Sequence, residues 1–144
     1  LPENRGEFGS VEIHYAGESG NAYAASFVYD KESNTYKRFI AGKEDIDLGE
    51  GLQIAPKNVI LEWHQYRPGN DGHARIVIDM IGEGPVEILN DGKRTTGTWK
   101  KTDRLARTHY FDANGAEIPL VRGQIWIAAL IKTGDKEISK VTYK

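Results

Sequence analysis

An all-β domain is predicted, an antiparallel meander forming a sandwich or a partly open barrel with little or no helix, and three observations predict it. No window places apolar residues at helical spacing. Short runs rich in β-branched and aromatic residues alternate with polar positions, as Val11, Ile13 and Tyr15 do with Glu12 and His14. Turn sequences separate the runs, above all Asn90-Asp91-Gly92-Lys93 and Asn114-Gly115, where glycine accepts a positive φ without steric cost. The most organised stretch, Gly82 to Ile131, contains both turns and closes on a tryptophan strand.

The opening residues 1–10 are polar and include Glu7-Phe8-Gly9-Ser10, which resembles a cloning site. They are read as a disordered or cloning-derived leader, with a single β-rich domain over 11–144. A first strand covers Val11 to Tyr15, and Gly17-Glu18-Ser19-Gly20-Asn21 turns the chain. Tyr23, Ala25, Phe27 and Tyr29 share one face of the second strand, and Tyr36, Arg38 and Ile40 begin its return. The acidic, turn-rich segment from Gly42 to Gly51 follows, with a short helical turn near Gly51. Over 58–66 the run Val59-Ile60-Leu61 fits a strand covered on both faces. Further strands are expected over 74–81, 86–89, 95–101, 108–111, 118–121, 124–131 and within 137–143. In the strand over 124–131, Ile125, Ile127, Ala129 and Ile131 form one face and Trp126 the other. Gly82-Glu83-Gly84 lacks the Lys-Ser/Thr of a phosphate loop and reads as a bend or bulge.

At 144 residues the chain fits one domain. It has no cysteine, which excludes disulfides, thiolate metal sites and a cysteine nucleophile. A net charge of −2 exerts no overall pull toward nucleic acid or anionic membrane. No apolar run approaches the roughly 18 residues of a spanning helix. The histidines at 14, 64, 73 and 109 have no close-pair spacing, so they read as exposed or half-buried structural residues and no metal site is predicted. Glu44, Asp45, Asp47 and Glu50 depart from the helix–loop–helix calcium pattern and read as a solvated acidic turn. Glu62, Asp79, Glu83 and Glu87 cannot be assigned as a glycosidase pair, because spatial separation decides that chemistry. No catalytic residue and no cofactor is predicted.

Two features point to binding. Lys93, Arg94, Lys100, Lys101, Arg104 and Arg107 form either a basic patch for a phosphate-rich polymer or an ordinary hairpin surface. Trp63-His64-Gln65-Tyr66-Arg67 ends a strand, and Trp63 is either a platform for sugar or peptide or a core residue.

The order of motifs carries a resemblance. Tyr29-Asp30, Tyr36-Lys37-Arg38, Gly42 to Asp47 and Asn58-Val59-Ile60 are followed by Gly82-Glu83-Gly84, Asp91-Gly92-Lys93 and Gly97-Thr98-Trp99-Lys100. Asn114-Gly115, Glu117-Ile118 and Val121-Arg122-Gly123-Gln124-Ile125-Trp126-Ile127 complete the series. From Val11 to Leu130 this resembles the C-terminal domain of YerB-like bacterial lipoproteins, a family of undefined function. The resemblance implies an extracytoplasmic protein, tethered to the membrane through an N-terminal lipid anchor and carrying another domain before this one. Family members often have a histidine near the acidic turn; here Lys43-Glu44-Asp45 stands there, so no role of that histidine carries over.

The function expected is a non-catalytic binding or scaffolding module. Its partner would be an envelope protein, a cell-wall polymer or its own N-terminal domain, with no nucleic acid. Candidate contact residues are Tyr29, Tyr36, Arg38, Asn58, Trp63, Tyr66 and Arg67, the aromatics supplying area and the arginines pairing with carboxylate or phosphate. One alternative is a hydrolase of wall glycan or peptide, assembled from scattered Asp, Glu and His in a concave pocket. Another is a positioning domain, which would expose an apolar patch along one face.

Overall fold

The computed structural model describes residues 2–15 and 23–144. The short alternating strands near the two ends of the chain form one sheet. It contains β1 (Ser10–His14), β2 (Ala25–Asp30), β3 (Thr35–Ile40), β4 (Lys43–Glu44) and β12 (Lys140–Tyr143), in the order β12-β1-β2-β3-β4. The middle of the chain forms the second sheet from β5 (Asn58–Pro68), β7 (Gly82–Asn90), β8 (Lys93–Lys101), β9 (His109–Asp112), β10 (Ile125–Thr133) and β11 (Lys136–Glu137). Its order is β11-β10-β5-β7-β8-β9, and β6 (Ile76–Ile78) pairs with the far end of β5. Strands and bridges take up 54% of the described residues and the sheets do not close on each other, so the architecture is an all-β sandwich and not a barrel.

Among the described residues the antiparallel pairing is interrupted at one place. β10 runs parallel to β5, with Ile125 opposite Asn58 and Lys132 opposite Gln65. A parallel pair needs a long crossover, and here β6 to β9 provide it. β5 is thereby flanked by β10 and β7 and covered on both faces, which accounts for its unbroken apolar run.

Between the sheets lies the main core, with Val11, Ile13, Phe27, Tyr36, Val59, Leu61, Trp63, Leu89 and Leu130 among its buried residues. Residues 6–10 pack against this fold. The Gly6 N–H donates to Asp91 O at 2.7 Å and the Phe8 N–H to Gly92 O at 2.9 Å. Phe8 meets Tyr143 edge-on with ring centroids 5.8 Å apart. One aromatic in a polar stretch is enough to dock it, and Gly6 permits the approach, since a Cβ there would lie 2.2 Å from Gly92 O.

Other expectations shift locally. Gly82 to Gly84 open β7, paired with Lys101 to Trp99, and form no bulge. Of 74–81 only β6 is strand, and 118–121 is a strap that follows the isolated bridge Phe111–Glu117, its Ile118 N–H donating to Tyr110 O at 2.8 Å. A 3-10 turn lies at Pro2–Asn4, and near Gly51 a single helix-like turn closes through the Gly51 N–H to Asp47 O bond of 2.7 Å. The turn expected at Gly17–Asn21 lies outside the described residues.

Two hairpin turns from opposite sheets clasp each other. Asn34 (φ 55°) and Asp91 (φ 49°) both take the left-handed conformation that Asn and Asp tolerate. Asn34 Nδ2 donates to Asp91 Oδ1 at 2.8 Å, and Tyr29 OH donates to Asn34 Oδ1 at 2.8 Å. In the same hairpin the Lys37 ammonium, 2.6 Å from the Asp30 carboxylate, leads the hydrogen bonds that hold the Asp30 pKa down at about 2. A depressed carboxylate contributes stability above its unfolded value near 3.8, and that contribution is lost as pH falls through about 2. Asp30→Asn should therefore flatten the fall of the unfolding midpoint between pH 4 and pH 2 (approximate limits from linkage) while changing little below it. An unchanged acid limb would show that this carboxylate is not linked to folding.

Candidate functional site

Strand alternation gives β5 two buried faces. Val59, Leu61 and Trp63 point into the sandwich, and Ile60, Glu62 and His64 point to the other side of the long sheet. That outer face carries a second core of Ile60, Val86, Ile88, Trp99, Tyr110 and Ile118. It forms because two positions on the face lack a side chain. A Cβ on Gly84 would lie 2.7 Å from Trp99 Nε1, and one on Gly97 would lie 3.0 Å from Ile118 Cδ1. The indole and the strap therefore settle onto the sheet itself.

The polar groups of this core bond to the chain's own atoms. Trp99 Nε1–H donates to the Trp63 carbonyl at 2.9 Å, and its ring centroid lies 4.3 Å from that of His64. Tyr110 reaches across from β9 and its OH donates to Glu62 Oε1 at 3.0 Å. His64 Nδ1 lies 2.8 Å from the Asp79 carbonyl, which only accepts, so Nδ1 carries the proton and donates it. His64 Nε2 lies 3.4 Å from Glu62 Oε2 and makes no hydrogen bond. Burial, followed by the Glu62 charge and hydrogen bond, raises the Tyr110 pKa well above its ordinary value. Glu62 is 4% and His64 1% exposed, so the pair is sealed from solvent; His64 is not the exposed or half-buried residue expected.

Beside this sealed pair runs an open groove of about 610 Å³. Ile60 forms its floor, Tyr110, Ile118 and Leu120 one wall, and Ile125 and Ile127 the other. Ile125 is 47% and Ile127 53% exposed, so the apolar face expected on β10 is real but turns outward at its start. On the rim Glu117 Oε1 is 3.0 Å from His109 Nδ1 and 4.0 Å from Arg107, leaving the charges matched among themselves. Asn58 ties the strap in place. Its Nδ2 donates to Val121 O at 2.8 Å and its Oδ1 accepts the Val121 N–H at 2.8 Å. A second concavity of about 460 Å³ lies on the other side of the start of β10, lined in part by Trp126, Gln53, Gln124, Asp47 and Glu50.

A family model described as "Protein of unknown function (DUF3048) C-terminal domain" matches residues 11–127. The chain belongs to the DUF3048 C-terminal domain family. The YerB protein from Bacillus subtilis, known from a crystal structure, superposes with a TM-score of 0.79 at 20% identity over 96% of this chain. At that identity the likeness is one of fold. The match covers 45% of YerB, so this DUF3048 domain spans less than half the length of that protein. No functionally curated protein matches the chain.

In this DUF3048 domain the contact residues expected from sequence do not converge. Tyr36 is fully buried and the Tyr29 ring lies tilted against it, centroids 5.0 Å apart, in the hairpin clasp. Arg38 lies inside the end of the sandwich, ion-paired with Asp45, its guanidinium carbon 4.1 Å from the Trp126 ring centre. Burial lowers its pKa, and Tyr15 opposes that. Asn58 is the strap anchor, and Trp63 is a core residue 8% exposed. Tyr66 and Arg67 stand apart on the β5–β6 ribbon, Arg67 4.0 Å from Asp79.

The basic residues split by pleat. Lys93 and Lys101 sit on the outer face, and Arg94 and Lys100 on the opposite one. Arg94 pairs with Glu87 and lies over Tyr143 at 3.6 Å, Lys100 pairs with Glu83 at 3.4 Å, and Lys101 donates to Ala106 O. Arg104 is exposed in the β8–β9 loop, and Arg107 joins the groove rim. Among the described residues no three His, Asp or Glu gather as a metal-ligand set. The groove residues Ile125, Ile127 and Leu120 were absent from the sequence candidates. The signal that marks the two isoleucines is alternation opposite Trp126, which shows a face without showing whether it is covered.

Proposed function

We propose that this DUF3048 domain is a non-catalytic binding module of a bacterial cell-envelope lipoprotein, and that its groove holds a protein partner, either another part of its own longer chain or a second envelope protein. One observation carries the reading: Ile125, Ile127 and Leu120 are exposed side by side in a concavity whose rim charges already pair with each other. A contiguous apolar patch of this kind is what protein interfaces use. A wall polymer rich in phosphate fits less well, because the basic residues divide between two faces and Arg94, Lys100 and Arg107 already have carboxylate partners. A hydrolase fits less well too, because Glu62 and His64 are closed off from any substrate. The extracytoplasmic, lipid-anchored setting is part of the proposal and rests on the family resemblance.

Ile127→Glu changes a side chain that is 53% exposed, so the free energy of unfolding should stay within about 0.5 kcal/mol of the parent. The same change should remove most partner binding, read as loss of a photo-cross-link from position 125 when the whole lipoprotein sits in envelope membranes. Salt-sensitive co-sedimentation with peptidoglycan bearing teichoic acid, abolished by Lys100→Ala/Lys101→Ala, would replace this reading with a polymer-binding one.

A further inference from the structure

Among the described residues, the strand that walls the groove has an open edge. The Gln124 carbonyl accepts the Lys57 and Asn58 N–H groups at 3.0 and 3.2 Å, so it is turned toward β5. Ile131 is turned the other way: its N–H donates to Ser139 Oγ at 2.9 Å and its carbonyl accepts Ile138 and Ser139 N–H, both at 3.0 Å. Backbone groups along a strand alternate with a period of two, so the N–H and C=O of Ile125, Ile127 and Ala129 face away from β5. On that side β10 pairs with β11 only at Lys132 and Thr133. Among the described residues no backbone group bonds to the edge over 125–129. The segment Ile125-Trp126-Ile127-Ala128-Ala129-Leu130-Ile131 has no charge and no proline, the usual devices that keep an edge strand from pairing.

The two concavities lie on the two faces of this same edge, and Ile125 lines both. They differ in chemistry. The groove is apolar with its rim charges matched, whereas the one beside Trp126 presents Asp47 and Glu50. Asp47 also accepts the Gly49 and Glu50 N–H groups within its own turn, which fixes the carboxylate in place.

We propose that β10 takes an extended polypeptide segment as an added strand, with apolar side chains alternating toward the groove and basic ones toward Asp47 and Glu50. The proposal rests on the groove-binding reading and adds to it main-chain pairing along Ile125–Ala129. Strand addition draws affinity from backbone hydrogen bonds and specificity from pockets that receive alternate side chains, and charge complementarity with the acidic concavity selects lysine or arginine at every second position.

The test uses acetyl-Thr-Val-Lys-Val-Lys-Val-Thr-amide as the probe, with two N-methylated forms, one methylated at the valines and the other at the lysines. Only alternate amides of an added strand face β10. One methylated form should therefore bind at least roughly tenfold more weakly, a difference of about 1.4 kcal/mol, and the other within about twofold of the parent peptide. The amides of Ile125, Ile127 and Ala129 should also exchange more slowly in the complex. Replacing the lysines by glutamates should weaken binding, and equal binding would overturn the basic preference. If both methylated forms bind like the parent, the added strand is overturned while side-chain docking in the groove survives. If no peptide binds below about 1 mM, the groove reading fails for this chemistry along with the strand.

Discussion

Trp99→Ala is expected to lower the free energy of unfolding by about 3–5 kcal/mol, the range for emptying a buried tryptophan site. Trp99 is 2% exposed and its indole lies against Gly84, which has no side chain of its own to fill the space. Two further effects add to the cavity. The Trp63 carbonyl loses its donor at 2.9 Å, and the His64 ring loses the aromatic face 4.3 Å away. Trp99→Phe separates these causes. It keeps most of the apolar area and the ring contact but deletes the N–H, so its cost should be about 1–3 kcal/mol, the penalty for one unsatisfied buried group. Urea titrations of both variants give the comparison. A Trp99→Ala midpoint close to that of the parent would mean the outer-face cluster is no second core.

How far the sequence foretells this arrangement depends on the distance over which each signal acts. The hairpins β2–β3 and β7–β8 are legible because their turns are local: Asn34 and Asp91 announce the left-handed positions that the structure shows at φ 55° and 49°. The run Val59-Ile60-Leu61 announces a strand buried on both faces, and β5 is one. Its parallel partner is not legible, since nothing in Ile125–Ile131 distinguishes pairing with β5 from a hairpin with the strand before it. The family could be read from the order of turns and glycines, which is the part of the fold that local chemistry dictates. The sealed Glu62–His64 pair could not. Alternate polar residues in a strand normally mark a wet face, and only Tyr110, 48 positions away, and the missing side chains at Gly84 and Gly97 make that face dry. The groove has the same cause. Ile125 and Ile127 look like core residues because the pattern that marks an apolar face is blind to whether the domain itself covers it.

Asn58→Ala should cost roughly 2–4 kcal/mol, about one for each hydrogen bond lost and more for the buried partners left behind. Asn58 is fully buried, and its side chain behaves toward the strap as a strand neighbour would, giving Nδ2–H to Val121 O and taking the Val121 N–H on Oδ1, both at 2.8 Å. Its Oδ1 also accepts Asn90 Nδ2 at 3.2 Å, and Asn90 Nδ2 in turn reaches Pro119 O at 3.1 Å. Removing the amide therefore frees the strap at the Val121 carbonyl and N–H and takes from Asn90, which holds Pro119 O, one of its own partners; Pro119 and Leu120 on that strap form part of the groove wall. The stability loss should thus come with faster exchange of the Val121 amide and weaker peptide binding, although Asn58 itself does not line the groove. Asn58→Asp keeps the acceptor for Val121 and Asn90 but turns the donor into a second acceptor facing a carbonyl. It should hold the Val121 amide in slow exchange yet still destabilise. If Asn58→Ala lowers stability while Val121 exchange and peptide affinity stay as they were, the strap is held by Ile118 and its surroundings, and the energetic role of Asn58 is confined to the junction of β5 and β10.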